Sequence, residues 1–246
     1  MRENYTLKRL YIAEPLSQGA TLSLPKAQSH YVGTVLRMGE GDELRLFNGR
    51  DGEWRARITS VSKRSTTLTL LECLRQPKTM VDIVLAFAPV RRHRTAFIIE
   101  KATELGVARF EPVLTTRTQF PKLNLEKARA QVIEAAEQTE RLDIPDIAAP
   151  IALMDWVSQQ NQRQIIFADE AGDARPAYEA LQSLAAPATL LIGPEGGFTP
   201  QERDALRVIK TIKPVSLGPR ILRADTAALS LLTLFQALNG DWNETL

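Results

Sequence analysis

Hydrophobic positions recur with two different periods along the chain, and the period changes near residue 75. Before it the runs are short and alternating: Leu44-Arg45-Leu46-Phe47, then Asn48-Gly49, then Trp54-Arg55-Ala56-Arg57-Ile58, then Thr67-Leu68-Thr69-Leu70-Leu71. Alternation punctuated by Asn-Gly predicts antiparallel strands of a small barrel or sandwich. Residues 28–38 are the exception, with a spacing that suits a helix carrying His30, Arg37 and the Val35-Leu36 pair. His30 reads as a capping or core polar group, and Arg75-Gln76-Pro77-Lys78-Thr79 as a linker.

Beyond the linker, strand-like and helix-like segments take turns. Ile83-Val84-Leu85-Ala86-Phe87 is a continuous apolar run, the mark of a strand covered on both faces. Residues 95–105 carry Phe97, Ile98, Lys101, Ala102 and Leu105 at helical spacing and stop at Gly106, a suitable residue just past a helix end. On that helix Lys101 and Glu104 stand three apart, close enough for a local salt bridge. Residues 109–114 are a strand candidate, and Asn124 is placed to cap a helix whose Leu125, Ala128, Val132, Ala135 and Thr139 share a face. Residues 165–167, 189–192 and 214–217 are further strands, each followed by helical sequence. This rhythm predicts a mostly parallel α/β sheet.

Composition narrows the class. Of 246 residues, 44% are hydrophobic and 24% charged, which excludes a disordered chain. The richest apolar stretch, residues 227–234, is broken by Ser230 and Thr233, so no membrane span is expected. Residues 1–5 lack the apolar core of a signal peptide. A single cysteine, Cys73, excludes an internal disulfide and fits a reducing compartment; with only His30 and His93 beside it, no metal site is expected. These readings together predict a cytoplasmic protein. The formal charge of +2 hides an asymmetry: residues 1–75 hold 12 basic against 8 acidic side chains, the remainder 19 against 21. A basic front part facing a polyanion and ordinary scatter of charge are equally good readings of that difference.

Ligands of open α/β sheets bind beyond the carboxyl ends of strands, so three strand-to-helix loops bear on function. In residues 191–202, Leu-Ile-Gly-Pro-Glu-Gly-Gly-Phe-Thr-Pro-Gln-Glu, a strand enters a glycine-rich turn and then a helix start with Thr199 as N-cap, Pro200 at the first position and Glu202 at the third. Bare backbone there lets a ligand lie against N–H and C=O groups, or simply meets the needs of a tight turn; Glu195 among the glycines favours a ligand. No Gly-Lys-Ser/Thr follows, and Gly-x-Gly-x-x-Gly is not matched. In residues 216–226, Arg220 and Arg223 sit before a final helix for which Asp225 or Thr226 is the expected cap, and which is apolar nearly all round from 227 to 238. Such a helix belongs in a core or a dimer interface. In the third loop, Arg91-Arg92-His93-Arg94 opens a helix directly after a core strand, either a phosphate-attracting edge or a solvated turn.

The loops at 191–198 and 217–223 (Leu-Gly-Pro-Arg-Ile-Leu-Arg) resemble the RsmE family, ribosomal RNA small-subunit methyltransferases of the SPOUT superfamily. Val-Leu-Arg-Met (35–38), Lys-Ala-Thr-Glu-Leu-Gly-Val (101–107) and Glu-Ala-Ala-Glu-Gln (134–138) resemble the same family in the same order. The resemblance implies a PUA-like β-barrel, an RNA-binding domain over residues 1–76, followed over 77–246 by a SPOUT α/β domain with a trefoil knot, acting as a homodimer. It implies S-adenosylmethionine as methyl donor and N3 of uridine 1498 in 16S ribosomal RNA, free or in the assembled small subunit, as target. It places the cofactor against Ile192, Gly193, Glu195, Gly196 and Gly197, against Leu217, Gly218, Ile221, Leu222 and Thr226, and at a third, knot-forming loop at the strand end Phe167-Ala168-Asp169-Glu170. Asp225 stands where the family pattern has Glu, and Thr118 follows Arg117 where it has Ser.

Methyl transfer to N3 must remove its proton, and the charge that then spreads onto O2 and O4 calls for a cation. Arg223 and Arg117 are the candidates for that role. Glu137, Glu195 and a water relay are equal candidates for proton acceptor. Arg9, Arg37, Arg55 and Arg57 of the front part, with Arg91, Arg92 and Arg94, are the expected RNA contacts. The competing reading is an RNA-binding assembly factor without catalysis, whose glycine loops are only turns.

Overall fold

The computed structural model describes residues 6–62, 65–171 and 173–243; residues 1–5, read above for a signal peptide, lie outside them. The chain forms two compact units. The first comprises residues 1–79 together with 136–144, and the second residues 80–135 and 145–246. A single boundary after residue 76 therefore leaves out the 136–144 segment.

The first unit is a five-stranded sheet in the order β1-β3-β4-β5-β2, with β1 Arg9–Tyr11, β2 Thr21–Ser23, β3 Glu43–Phe47, β4 Glu53–Val61 and β5 Thr66–Arg75. β1 pairs with β3 in parallel and the other pairs are antiparallel. Asn48-Gly49 makes the expected turn, with Gly49 at φ +83. One face of alternating positions, Leu44, Leu46, Ala56, Ile58, Leu68 and Leu70, packs the core with Leu10 and Ile12. Residues 28–38 fold as the end of helix α1 Lys26–His30 and a π-helical turn Tyr31–Val35, closed by Arg37 at φ +56. His30 is exposed in the last turn of α1 and is the N-cap residue of the π-helical turn, but its side chain makes no capping bond and stays out of the core.

At one end of the sheet the opposite face is buried too, and there it is ionic. The strand register sets Arg9 beside Arg45, and Glu53 opposite Arg75. Arg9 Nε stands 2.6 Å from Glu53 Oε1; its other nitrogens donate to the carbonyls of Ala136, Glu137 and Arg141 at 2.6–2.9 Å. Its guanidinium lies 4.2 Å from the Phe47 ring centroid. Arg45 forks onto Glu140 at 2.7 and 2.8 Å, and Arg75 onto Glu53 at 2.9 Å twice. Arg9 is only 8% exposed. It was expected to contact RNA; instead every nitrogen is turned inward, so that expectation is corrected. Arg75 ends β5 and does not open a linker.

The second unit is built on a parallel sheet in the order β11-β13-β10-β12-β6-β7-β8, with short β9 beside β7. Its elements are β6 Ile83–Phe87, α2 Arg92–Glu104, β7 Arg109–Leu114, α3 Leu125–Gln138, β8 Asp146–Ile147, β9 Ile151–Ala152, α4 Leu153–Ser158, β10 Gln164–Ala168, β11 Arg175–Pro176, α5 Ala177–Leu181, β12 Ala188–Ile192, α6 Pro200–Arg207, β13 Ile212–Ser216 and α7 Ala224–Asn239. β6 and β12 are buried along their whole length, as their unbroken apolar runs require. Asn124 caps α3 through Lys127 N–H, Gly106 follows α2 at φ +90, and Lys101 meets Glu104 at 2.7 Å. The last turn of α3 belongs to the first unit. The cap of α7 differs from expectation: Arg223 is its N-cap with no side-chain bond, which sets Asp225 and Thr226 inside the first turn. The chain order of the central strands is unusual, since β12 enters between β6 and β10, and β13 lies outside β10.

Candidate active site

Three neighbouring strands, β12, β10 and β13, run parallel and so release their loops at one edge of the sheet. The loop after β12 is shaped by an aromatic ring. Phe198 is fully buried, edge-on to Phe167 with centroids 4.8 Å apart, and a Cβ at Gly193 would stand 2.5 Å from its ring. Gly193 is thus fixed by packing and Gly197 by conformation, at φ +65. The loop then enters α6 through a complete capping box: Thr199 Oγ1 accepts from Glu202 N–H, and Glu202 Oε2 accepts from Thr199 N–H at 2.8 Å.

Glu202 also reaches the loop after β7. Its Oε1 accepts from Thr116 N–H at 2.7 Å, and burial, which alone would raise its carboxyl, is outweighed by these amide donors, so it titrates below the ordinary carboxylate range. Beside it Arg117 donates to the carbonyls of Gly196 at 2.8 Å and Phe198 at 3.3 Å. The β7 loop is thereby clipped onto the glycine loop from two sides.

The loop after β10 is anchored by charge. Asp169, with its side chain fully buried, meets Arg203 Nε at 3.3 Å and Arg207 Nε at 2.8 Å, both one turn apart on α6. Arg207 also pairs with exposed Asp173, whose carboxyl it holds at about 2. On the other side Arg94 of α2 lies 3.5 Å from Glu195 and 3.4 Å from Asp225, joining the glycine loop to the start of α7.

These loops enclose one cleft. Ile192, Gly193, Glu195 and Gly197 line it from β12, Leu217, Gly218, Ile221 and Leu222 from β13, and Ala168, Asp169 and Glu170 from β10. A Cβ at Gly218 (φ +107) would meet nothing within 4 Å, so open space adjoins that backbone. Of the residues singled out in sequence, Phe167 is buried behind the lining, Gly196 is exposed outside it and Thr226 lies exposed in the first turn of α7. Arg223 is exposed between cleft-lining Leu222 and Ala224. Glu137 falls in the first unit, where its Oε1 accepts from Tyr11 N–H at 2.8 Å. Arg94 belongs to the cleft's framework, while Arg91 and Arg92 are exposed. Arg55 pairs with Glu72 at 2.7 Å, exposed Arg57 with Glu43 at 2.8 Å, and Arg37 is exposed. Sequence reasoning placed Asp169 and Glu170 in the third loop without giving either a role, and did not assign Arg220 to the cleft that it lines. The signal was there for the first: Arg203 and Arg207, four apart on one helix face, imply an acidic partner.

Among the described residues no cluster of His, Cys, Asp and Glu suits a metal ion, and no helix is long and apolar enough to cross a membrane.

Sheet, loops and cleft define a ligand-binding α/β unit, and comparison with known proteins gives its class. Residues 77–236 match the family described as an RNA methyltransferase domain, and residues 24–71 the RNA methyltransferase PUA domain. Ribosomal RNA small subunit methyltransferase E of Rickettsia conorii is 35% identical, covering 96% of this chain and 98% of the relative. The same enzyme of Neisseria gonorrhoeae, solved with S-adenosyl methionine bound, superposes with a TM-score of 0.81 at 28% identity over 96% of this chain and all of that one. A Legionella pneumophila structure with bound SAM gives 0.85 at 31% identity, covering 96% and 99%. The chain belongs to the ribosomal RNA small subunit methyltransferase E family.

Proposed function

We propose that the protein transfers the methyl group of S-adenosylmethionine to N3 of a uridine in 16S ribosomal RNA, position 1498, in the cytoplasm and as a homodimer. The observation that carries this reading is the convergence of three strand-end loops on one cleft in a chain whose relatives, matched over their whole length, are solved with the cofactor. The insertion of β12 between β6 and β10 supports a knotted SPOUT domain, and the five-stranded first unit supports a PUA-like barrel. Helix α7, with Ala227, Ser230, Thr233 and Leu234 only partly covered within one chain, supports dimerisation through that helix.

The cleft fits the cofactor. Open space beside the backbone of Gly218 leaves room and hydrogen-bonding edges for an adenine, and Glu170 and Glu195 offer carboxylates to a cationic ligand. Ile192, Leu217, Ile221 and Leu222 give apolar cover, with Phe167 supporting the β12 loop from behind through Phe198. The bound cofactor supplies an electrophilic methyl group on a sulfonium. The chain's own work is then positioning and charge. The loops hold the uracil in line with the donor, which converts a bimolecular step into an oriented one. Arg223, exposed at the start of α7, stabilises the charge on O2 and O4 as the N3 proton leaves. Glu195, which lines the cleft beside Arg94, takes that proton in place of Glu137, which lies in the first unit. Arg117 acts through the glycine loop it grips.

The test combines two measurements. Calorimetric titration with S-adenosylmethionine should saturate near one site per chain. Incubation with cofactor and small ribosomal subunits lacking the modification should create a reverse-transcription stop beside uridine 1498, because an N3 methyl blocks the pairing edge. Saturable cofactor binding with no stop there would move the reading to another RNA target, and no cofactor binding by folded protein would favour the non-catalytic assembly factor.

A further inference from the structure

The carboxyl ends of β6 and β7 open a second groove in the same unit, with a lining distinct from that of the cofactor cleft. Its floor is apolar: Val90, Ile99 and Ala128 are all at most 4% exposed. One wall is the start of α2, another is residues 120–124, and the first turns of α3 close it. Phe120 stands 38% exposed in this wall, and Arg92, Lys122 and Lys127 are exposed around it. No acidic side chain lines the groove among the described residues. Its volume of about 770 Å³ lies within the range of small-ligand clefts, roughly 300–1,000 Å³.

An exposed aromatic ring with an apolar floor and a polar rim whose charged side chains are all cations is the chemistry that holds single-stranded nucleic acid: bases stack on the ring, and cations meet the phosphates. A merely solvated basic patch needs neither the ring nor the floor. The groove also neighbours the cleft along α2, because Arg92 lines the groove while Arg94, two residues on, contacts Glu195 and Asp225. We propose that this groove binds an unpaired nucleotide of the RNA substrate adjacent to the methylated one, its base stacked on Phe120 and its phosphates met by Arg92, Lys122 and Lys127. The proposal rests on the reading of the protein as an RNA methyltransferase. That reading itself demands local single-strandedness, since N3 of uracil faces its partner in a duplex.

The experiment measures binding of a fluorescent single-stranded oligoribonucleotide by anisotropy, with cofactor titration by calorimetry alongside. Phe120→Ala should weaken RNA binding about five- to hundredfold, the span of one lost base stack, with cofactor affinity unchanged. Phe120→Trp should retain binding, and Phe120→Leu, which keeps apolar bulk but no ring face, should lose it. Lys122→Ala with Lys127→Ala should flatten the log–log salt slope by about 1.4, at roughly 0.7 per phosphate contact on a single strand. Wild-type RNA binding in Phe120→Ala overturns the proposal. So does equal binding in Phe120→Leu, which would assign the ring to packing, and so does dissociation of a dimer by Phe120→Ala in sedimentation, which would give the groove to a second copy. Failure of the wild type to bind cofactor or methylate RNA would instead overturn the proposed function, leaving the groove to be judged on RNA binding alone.

Discussion

Both units carry clusters of arginine, yet the first turns them inward and the second deploys them at a sheet edge. In the first, Arg9, Arg45 and Arg75 surround Glu53 and Glu140, three cations to two carboxylates. The surplus is met by the carbonyls of Ala136 and Glu137 in the last turn of α3, where the helix dipole is negative. In the second unit Arg91, Arg92, Lys122 and Lys127 are exposed around loops, and only Arg94, Arg203 and Arg207 are committed to carboxylates beside the cleft. The basic excess of residues 1–75 therefore measures, in large part, an internal network. The cations accessible to a polyanion include several in the segment whose net charge is negative. Segment charge shows which ions are present; register and burial decide which of them face a ligand.

Removing the hub of the inward network should have the largest effect. Glu53→Gln leaves three guanidiniums around a neutral amide at a site 1% exposed. Breaking one partner of a buried ion pair costs about 3–5 kcal/mol, so urea unfolding should show a loss of that order. A loss under about 1 kcal/mol would mean that the network does not hold the unit together. The same residue predicts acid behaviour. Burial alone would raise the Glu53 carboxyl, but Arg75 and Arg9 hold it below the ordinary carboxylate range. With the folded value below the unfolded one, its contribution is complete above the unfolded value and is lost as pH falls through the folded one. Wild-type stability should thus fall more steeply below about pH 4.3 than that of Glu53→Gln.

At the cleft the corresponding break is steric. Gly193→Ala places a methyl 2.5 Å from the ring of Phe198, which is fully buried against Phe167 and has nowhere to move. Overpacking of this kind costs about 1–3 kcal/mol, and the displaced loop should weaken S-adenosylmethionine binding about tenfold or more by calorimetry. Unchanged affinity would remove the β12 loop from the cofactor site.

Much of this site was legible in the sequence, and the reasons are local. The capping box Thr199–Glu202, the Asn124 cap and the strand ends at Phe87 and Ile192 are written in adjacent residues, so spacing alone reveals them. Arg9 was misread because its partners lie 44 to 132 residues away, and only the strand register unites them. The cap of α7 was misplaced because Arg223 caps without a side-chain bond, leaving no sequence signal. Asp169 was placed in the third loop, but its anchoring role was not read, because that role comes from α6, a helix later in the chain.

A smaller effect should follow from loosening the clip on the β7 loop. Glu202→Gln removes the charge that accepts Thr116 and Thr199 N–H. Loss of a capping interaction is worth about 1 kcal/mol of stability. Because Arg117 on the released loop grips the glycine loop, cofactor affinity should fall together with kcat. A fall in kcat with cofactor affinity unchanged would instead place Arg117 at the reacting uracil.

The smallest change in stability should come from an exposed cation, and there the two kinds of arginine separate most clearly. Arg57 lies at the surface of β4, its side chain 53% exposed and paired with Glu43 at 2.8 Å. Exposed pairs of this sort contribute about 0–1 kcal/mol, so Arg57→Gln should unfold in urea within about 0.5 kcal/mol of wild type. If Arg57 meets a phosphate of the RNA, the log–log salt slope of binding should nevertheless flatten by about 0.7 to 0.9. Arg9→Gln should show the reverse, a large loss of stability with no change in salt slope among the molecules that remain folded. Should Arg57→Gln leave the slope untouched, its pairing with Glu43 is its whole role, and the exposed face of β4 lies outside the RNA footprint.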